Sequence, residues 1–86
     1  MTRKQLLKEY EILTDQAYNL RNLLDDAFIA AANVRDGLSD NPDIKFDKKD
    51  VRDFSSILER CSKKLDKINM REENVFYDAL NLKELV

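Results

Sequence analysis

The fold is decided at Gly37-Leu38-Ser39-Asp40-Asn41-Pro42, a stretch that begins with the only glycine and ends with the only proline of the 86-residue chain. Glycine destabilises a helix interior through its backbone entropy, and proline does so through its missing N–H group. Good helix formers dominate both sides of the stretch. The sequence therefore predicts an all-α fold in a single domain. We expect a long antiparallel helical hairpin, with a helix over about residues 3–36, a loop over 37–46 and a helix over about 48–83.

Local signals mark the ends of both predicted helices. Thr2 and Gln5 have the spacing of a capping box, in which two side chains satisfy free backbone N–H groups. Asp47 is the predicted N-cap of the second helix. At the end of the first helix, Gly37 is expected in the left-handed conformation that often follows a last helical turn, and Asn41-Pro42 is a turn signal.

The first predicted helix carries an apolar seam whose spacings alternate between four and three residues. Its members are Leu6, Tyr10, Leu13, Ala17, Leu20, Leu24, Ala27, Ala31, Val34 and Leu38. Such a seam is typical of a helix that packs along its whole length. Further apolar residues widen the sector beyond what one neighbouring helix covers. We therefore expect self-association, as a homodimer forming a helical bundle or coiled coil, through Ile12, Leu23, Ala27, Phe28, Ala30 and Ala31.

The second predicted helix has a matching seam with one polar interruption. The seam consists of Val51, Phe54, Leu58, Cys61, Leu65 and Ile68, with Ile57 on its flank. The same register then passes through Glu72, which we interpret as a polar layer or a hinge. Residues 69–74 are mostly polar, so the sequence allows a break or bend there and hence three helices. The absence of glycine and proline after Pro42 favours a continuous helix.

Composition narrows the functional classes. The chain has no histidine, the commonest general base and metal ligand, and its one cysteine excludes an internal disulfide. A net charge of −2 is unusual for a general nucleic-acid binder. No apolar run approaches the ~18 residues of a membrane span. We expect a cytoplasmic protein without catalytic residues, metal or cofactor.

Two sets of side chains are candidates for binding a partner. A basic stripe falls within one sector of the second helix and contains Arg60, Lys63, Lys64, Lys67 and Arg71. It either docks an acidic partner or pairs with acids of the first helix, such as Glu9, Glu11 and Asp15. Tyr18 and Tyr77 lie off the seams, where exposed tyrosines serve as interface anchors.

These patterns favour a non-enzymatic protein–protein interaction module, such as a small adaptor, inhibitor or regulatory subunit. An alternative is a small nucleic-acid-associated regulator that uses the basic stripe, with binding that weakens steeply with salt. A third interpretation is a helical-dimer enzyme, which requires a closed pocket lined by arginines from two chains. No small-molecule substrate is expected in the first two cases.

Overall fold

The computed structural model of the chain describes residues 1–39, 43 and 45–83. It contains two helices, α1 (Arg3–Gly37) and α2 (Lys48–Leu80), and no strand among the described residues. The Cα atoms extend over 66 × 22 × 15 Å, so the molecule is a rod. The two helices run antiparallel, since Glu9 near the start of α1 pairs with Arg71 near the end of α2. The predicted helical hairpin is confirmed.

The predicted helix starts are also confirmed. Thr2 N–H donates to Gln5 Oε1 (2.8 Å), and Gln5 N–H donates to Thr2 Oγ1 (3.2 Å), which completes the capping box. At the start of α2, Lys49 N–H donates to Asp47 Oδ1 (2.8 Å). α2 continues without interruption through residues 69–74 and ends at Leu80, three residues before the predicted end. The three-helix alternative is therefore not the observed arrangement.

Gly37 has a different role from the predicted one. It is the last residue of α1 and has no positive φ, so the expected left-handed conformation is wrong. Space explains the glycine instead, because a Cβ atom at this position would lie 2.9 Å from Phe46 Cα and 3.3 Å from the Lys45 carbonyl oxygen. The segment leading into α2 thus crosses directly over the end of α1. The predicted Asn41-Pro42 turn lies outside the described residues.

The core is a thin layer between the helices. Near the chain termini, Leu6, Leu13 and Val75 form a buried cluster, with Ile68, Ala79 and Leu82 packed against it. Val75 is completely buried. The remaining buried side chains are Leu23, Ala27, Ala30 and Cys61. A layer this thin leaves much of the apolar surface uncovered.

The buried rows differ from the predicted seams. We number the heptads so that Leu6, Leu13 and Ala27 of α1 and Cys61 and Val75 of α2 occupy a positions. These a residues are buried, as the seams predicted. The second buried row of α1, however, runs through Leu23 and Ala30, which we expected to face a second molecule. Most predicted seam residues at the neighbouring e positions are exposed, among them Tyr10, Leu24, Leu38, Val51, Leu58 and Leu65, while Ala31 is half-buried. The apolar sector of each helix thus includes the a positions and the e positions beside them. The partner helix of the hairpin covers the a positions and leaves most of the e positions exposed.

Candidate interaction surfaces

A row of exposed large apolar side chains follows each helix. We call the two rows together the apolar face: Leu7, Tyr10, Leu24 and Phe28 of α1 and Leu38 at its C-cap, with Val51, Leu58, Leu65 and Phe76 of α2. These side chains retain between 40% and 72% of their accessible surface. They occupy the e and b positions of a heptad whose a and d positions are buried.

Both rows lie on the same side of the hairpin. In an antiparallel helix pair, the e edge of one helix adjoins the e edge of the other. A shallow apolar groove of about 280 Å³ shows this directly, because Leu7 and Tyr10 of α1 line it together with Ala79 of α2. The two rows therefore adjoin at the terminal end of the hairpin, and the shared heptad register keeps them on the same side along the rest of the rod.

Few polar groups interrupt the apolar face. The Thr14 hydroxyl donates to the Tyr10 carbonyl oxygen (2.8 Å), and Arg35 pairs with its neighbour Asp36 (3.1 Å). Arg21 and Glu72 remain without a polar partner among the described residues. They carry opposite charges and lie on different helices. Arg21 and Glu72 thus place a cation and an anion, each without a described partner, on a mainly apolar surface that Arg3 also borders.

The predicted self-association residues divide into two groups. Leu23, Ala27 and Ala30 are buried between the helices of one chain, so they are withdrawn from the surface open to a second molecule. Their small or compact side chains serve helix–helix packing within the hairpin. Phe28 is 72% exposed and lies on the apolar face, beside the half-buried Ala31. Ile12 is half-buried at the opposite edge of α1.

The opposite side of the hairpin is polar. Apart from Ile12, every g position is polar or charged, including Asn19, Asp26, Lys67 and Asn74. Two adjoining grooves of about 420 and 200 Å³ run between the helices there. Gln16 and Lys67 line both grooves, which makes them one continuous channel. We call this channel the basic groove, after its main lining residues Gln16, Asn19, Lys64, Lys67, Arg71 and Asn74.

The basic stripe of the sequence is divided by the fold. Arg71 forms a half-buried ion pair with Glu9, as one interpretation predicted, and Lys63 pairs with Glu59 on its own helix (3.5 Å). Lys64 and Lys67 line the basic groove and have no acidic partner among the described residues. Arg60 is exposed and lies one turn before Lys64 and two turns before Lys67.

The two predicted tyrosine anchors are exposed but far apart. Tyr18 keeps 61% and Tyr77 71% of its accessible surface. Tyr77 stacks edge-to-face on Phe76, with ring centroids 5.2 Å apart. Tyr18 points away from α2 at an outer heptad position. The structure therefore does not bring the two into one site.

Polar residues in the second buried row were not recognised in the sequence. Glu9 and Gln16 of α1 occupy d positions, as do Lys64 and Arg71 of α2. They form a polar layer in the half of the hairpin near the termini, where we expected Glu72 to act. Glu72 instead lies half-exposed on the rim of the apolar face. The sequence did contain a signal for this polar layer, because Glu9 and Gln16 each follow an apolar a residue by three positions.

Comparison with protein-family models, with curated proteins and with solved structures finds no match for this chain. Within the described part of the chain, neither helix combines the length and the apolar composition that crossing a bilayer requires. The apolar face and the basic groove are consequently the features of the molecule that bear on its function.

Proposed function

We propose that the chain is a non-enzymatic protein–protein interaction module that acts through helical packing and associates with itself as a homodimer. The observation that supports this proposal is the apolar face. Its large side chains keep about half of their surface in contact with water in the single chain. Contiguous apolar surface of this extent on a small protein marks an interaction site.

The size of the apolar face suits a second copy. From Leu7 to Leu38 the face is roughly 46 Å long at 1.5 Å per residue, and two adjacent helices make it roughly 20 Å wide. Its area is thus on the order of 900 Å² per copy. Stable protein interfaces bury about 800 Å² per partner. Two hairpins packed through these faces form a four-helix bundle with a common core.

The unpaired charges also favour a symmetric pair. Glu9 lies level with Arg71 and Gly37 with Phe46, so Arg21 lies level with about Cys61 of α2. Arg21 and Glu72 are therefore separated by roughly 17 Å along the rod. A twofold axis midway between them places Arg21 of each copy beside Glu72 of the other, because a twofold interface makes every contact twice.

A matched pair of substitutions tests self-association. Leu24 on the apolar face and Ile29 on the outer surface are aliphatic, exposed and close in sequence. We expect Leu24→Asp to raise the dimer dissociation constant roughly 100-fold, since it buries charges without partners. Ile29→Asp should leave it within about twofold. Sedimentation equilibrium measures the constant, and circular dichroism checks that both variants stay helical. A monomeric parent chain at micromolar concentration removes the homodimer.

Charge reversal tests the symmetric arrangement. Arg21→Glu and Glu72→Arg should each weaken the dimer several-fold, because each creates repulsion with the facing copy. The doubly substituted chain should recover most of the loss. Failure to recover rejects the twofold pairing while leaving the apolar face as an interface.

The cytoplasm is the proposed location. The single cysteine is unpaired and buried, which suits a compartment that keeps thiols reduced. Regulation by occupying a partner's surface, as an adaptor, inhibitor or regulatory subunit does, agrees with two distinct surfaces on one rod.

A further inference from the structure

We propose that the basic groove binds a short acidic segment of a partner protein, with carboxylates placed between Lys64 and Lys67 of α2 and the amides of Gln16 and Asn19 of α1. This inference rests on the proposed role as a protein interaction module and names the partner's chemistry. It concerns the side of the hairpin that faces away from the apolar face. A homodimer therefore carries two such grooves, both open to other molecules.

The charge of the groove is opposite to that of the whole chain. The net charge of the chain is −2. The groove, by contrast, is lined by Lys64, Lys67 and Arg71 against one carboxylate, that of Glu9, which Arg71 already neutralises. Two lysines thus remain available between walls of low dielectric constant. Such a cleft concentrates anions by focusing the field.

Unsatisfied polar atoms lie in the same groove. Arg71 Nε and Gln16 Oε1 are buried and have no hydrogen-bond partner within the described part of the chain. A buried donor without a partner costs about 1–3 kcal/mol. Because Arg71 Nε–H is buried, a carboxylate in the groove accepts its hydrogen bond only when the side chains that cover it move aside. Rotation of the Gln16 amide presents its NH₂ group to the same carboxylate. The groove thus holds one buried unpaired donor, Arg71 Nε–H, and one amide that becomes a second donor after it rotates.

The extent of the groove favours a protein segment over a nucleic acid. Asp26 and Asp53 occupy g positions on the loop side of the groove, and Asp78 lies beyond its other end. Together with the exposed Arg60, one turn nearer the loop, Lys64, Lys67 and Arg71 form a basic stretch of about three turns of α2, or roughly 16 Å. A nucleic-acid backbone carries a phosphate at every nucleotide and would extend past these limits towards the aspartates. A peptide with two or three acidic side chains fits within them.

Fluorescence anisotropy with a labelled peptide of alternating glutamate and alanine tests the proposal. We expect saturable binding to the full chain at about 0.15 M ionic strength, where the Debye length is about 8 Å. The variant Lys64→Glu/Lys67→Glu should bind roughly tenfold more weakly or worse. The matched control Lys4→Glu/Lys8→Glu makes the same change in net charge on exposed residues of α1 outside the groove. It should alter affinity by less than about twofold, because exposed distant charges are screened.

Parallel measurements separate this proposal from self-association. Sedimentation of each variant reports the dimer, and an oligothymidylate of matched charge replaces the peptide in a second titration. Absence of saturable peptide binding, equal losses in both variants, or tighter binding of the oligothymidylate would each overturn the acidic-segment proposal. Loss of peptide binding from an intact dimer supports the groove. Peptide binding by a chain that is monomeric supports the groove and rejects only the homodimer.

Discussion

The two long edges of the hairpin have opposite chemistry although the same two helices form both. On one edge, the e positions carry leucine, valine and tyrosine, while on the other the g positions carry asparagine, aspartate, lysine and arginine. Between them lies a core only one side chain thick. The difference shows that the two edges of a helix pair can differ in polarity. Here only the g edge has the polar composition of an ordinary solvent-exposed protein surface. The apolar edge resembles half of a larger core.

The most severe disruption of both edges is expected from Val75→Asp. Val75 is fully buried, contacts the core cluster and also lines the basic groove. An unpaired charge at this position costs about 3–5 kcal/mol, comparable to the whole stability of a small domain. We expect loss of helical circular dichroism at 25 °C. Asn74→Asp, at the exposed neighbouring residue, should unfold at a denaturant concentration close to that of the parent, and equal destabilisation of both would contradict the described core.

The next largest effect distinguishes the edges through adjacent residues. Leu65 belongs to the apolar face and Lys64 to the basic groove. Leu65→Asp should weaken the dimer roughly 100-fold through an unpaired buried charge, whereas Lys64→Asp should change it by less than about threefold. The acidic peptide should show the reverse order. Sedimentation and anisotropy measure the two affinities, and an identical response of both variants would remove the distinction between the edges.

Gly37→Ala tests the close crossing at the closed end of the rod. Helix propensity alone would stabilise α1 by up to about 1 kcal/mol. The new Cβ would, however, lie 2.9 Å from the Phe46 backbone, which must move. We expect net destabilisation of about 1–2 kcal/mol from this overpacking, measured by urea denaturation. An increase in stability would show that the crossing is looser than described.

The smallest effects concern ion pairs on the polar edge. The side chains of Glu9 and Arg71 are about one-third exposed, whereas those of Glu59 and Lys63 are about 70% exposed. Double-mutant cycles to alanine should give a coupling of about 1 kcal/mol for the first pair and about 0.3 kcal/mol for the second. Both should decrease in high salt, the exposed pair to nearly zero. Equal couplings would argue against partial burial of Glu9 and Arg71.

The fold followed from local chemistry and was therefore predictable. The glycine and proline near the middle, the Thr2 cap and the Asp47 cap act within a few residues, and each predicted boundary is within three residues of the observed one. The role of Gly37 was not predictable in this way. It depends on Phe46, which approaches only once the hairpin has closed.

The interaction surfaces were predictable only in part. The sequence shows that the apolar sector is too wide for one partner, but periodicity is identical for the e and d rows. Which row faces α2 depends on pairing across the hairpin, such as that of Glu9 with Arg71. Likewise the sequence indicated Glu9 as a possible partner of the basic stripe, but it did not show that Arg71 would form this pair while Lys64 and Lys67 would remain available.

Cys61 is a built-in chemical probe of how often the hairpin opens. It is the only cysteine and is buried at the middle of the rod, facing α1. A thiol reagent can reach the sulfur only while the two helices are parted, so its modification rate reports how often they separate. Because the helices share a single thin layer, that rate samples the opening of the whole hairpin rather than of one loop. If two copies assemble, the reaction should slow as the protein is concentrated.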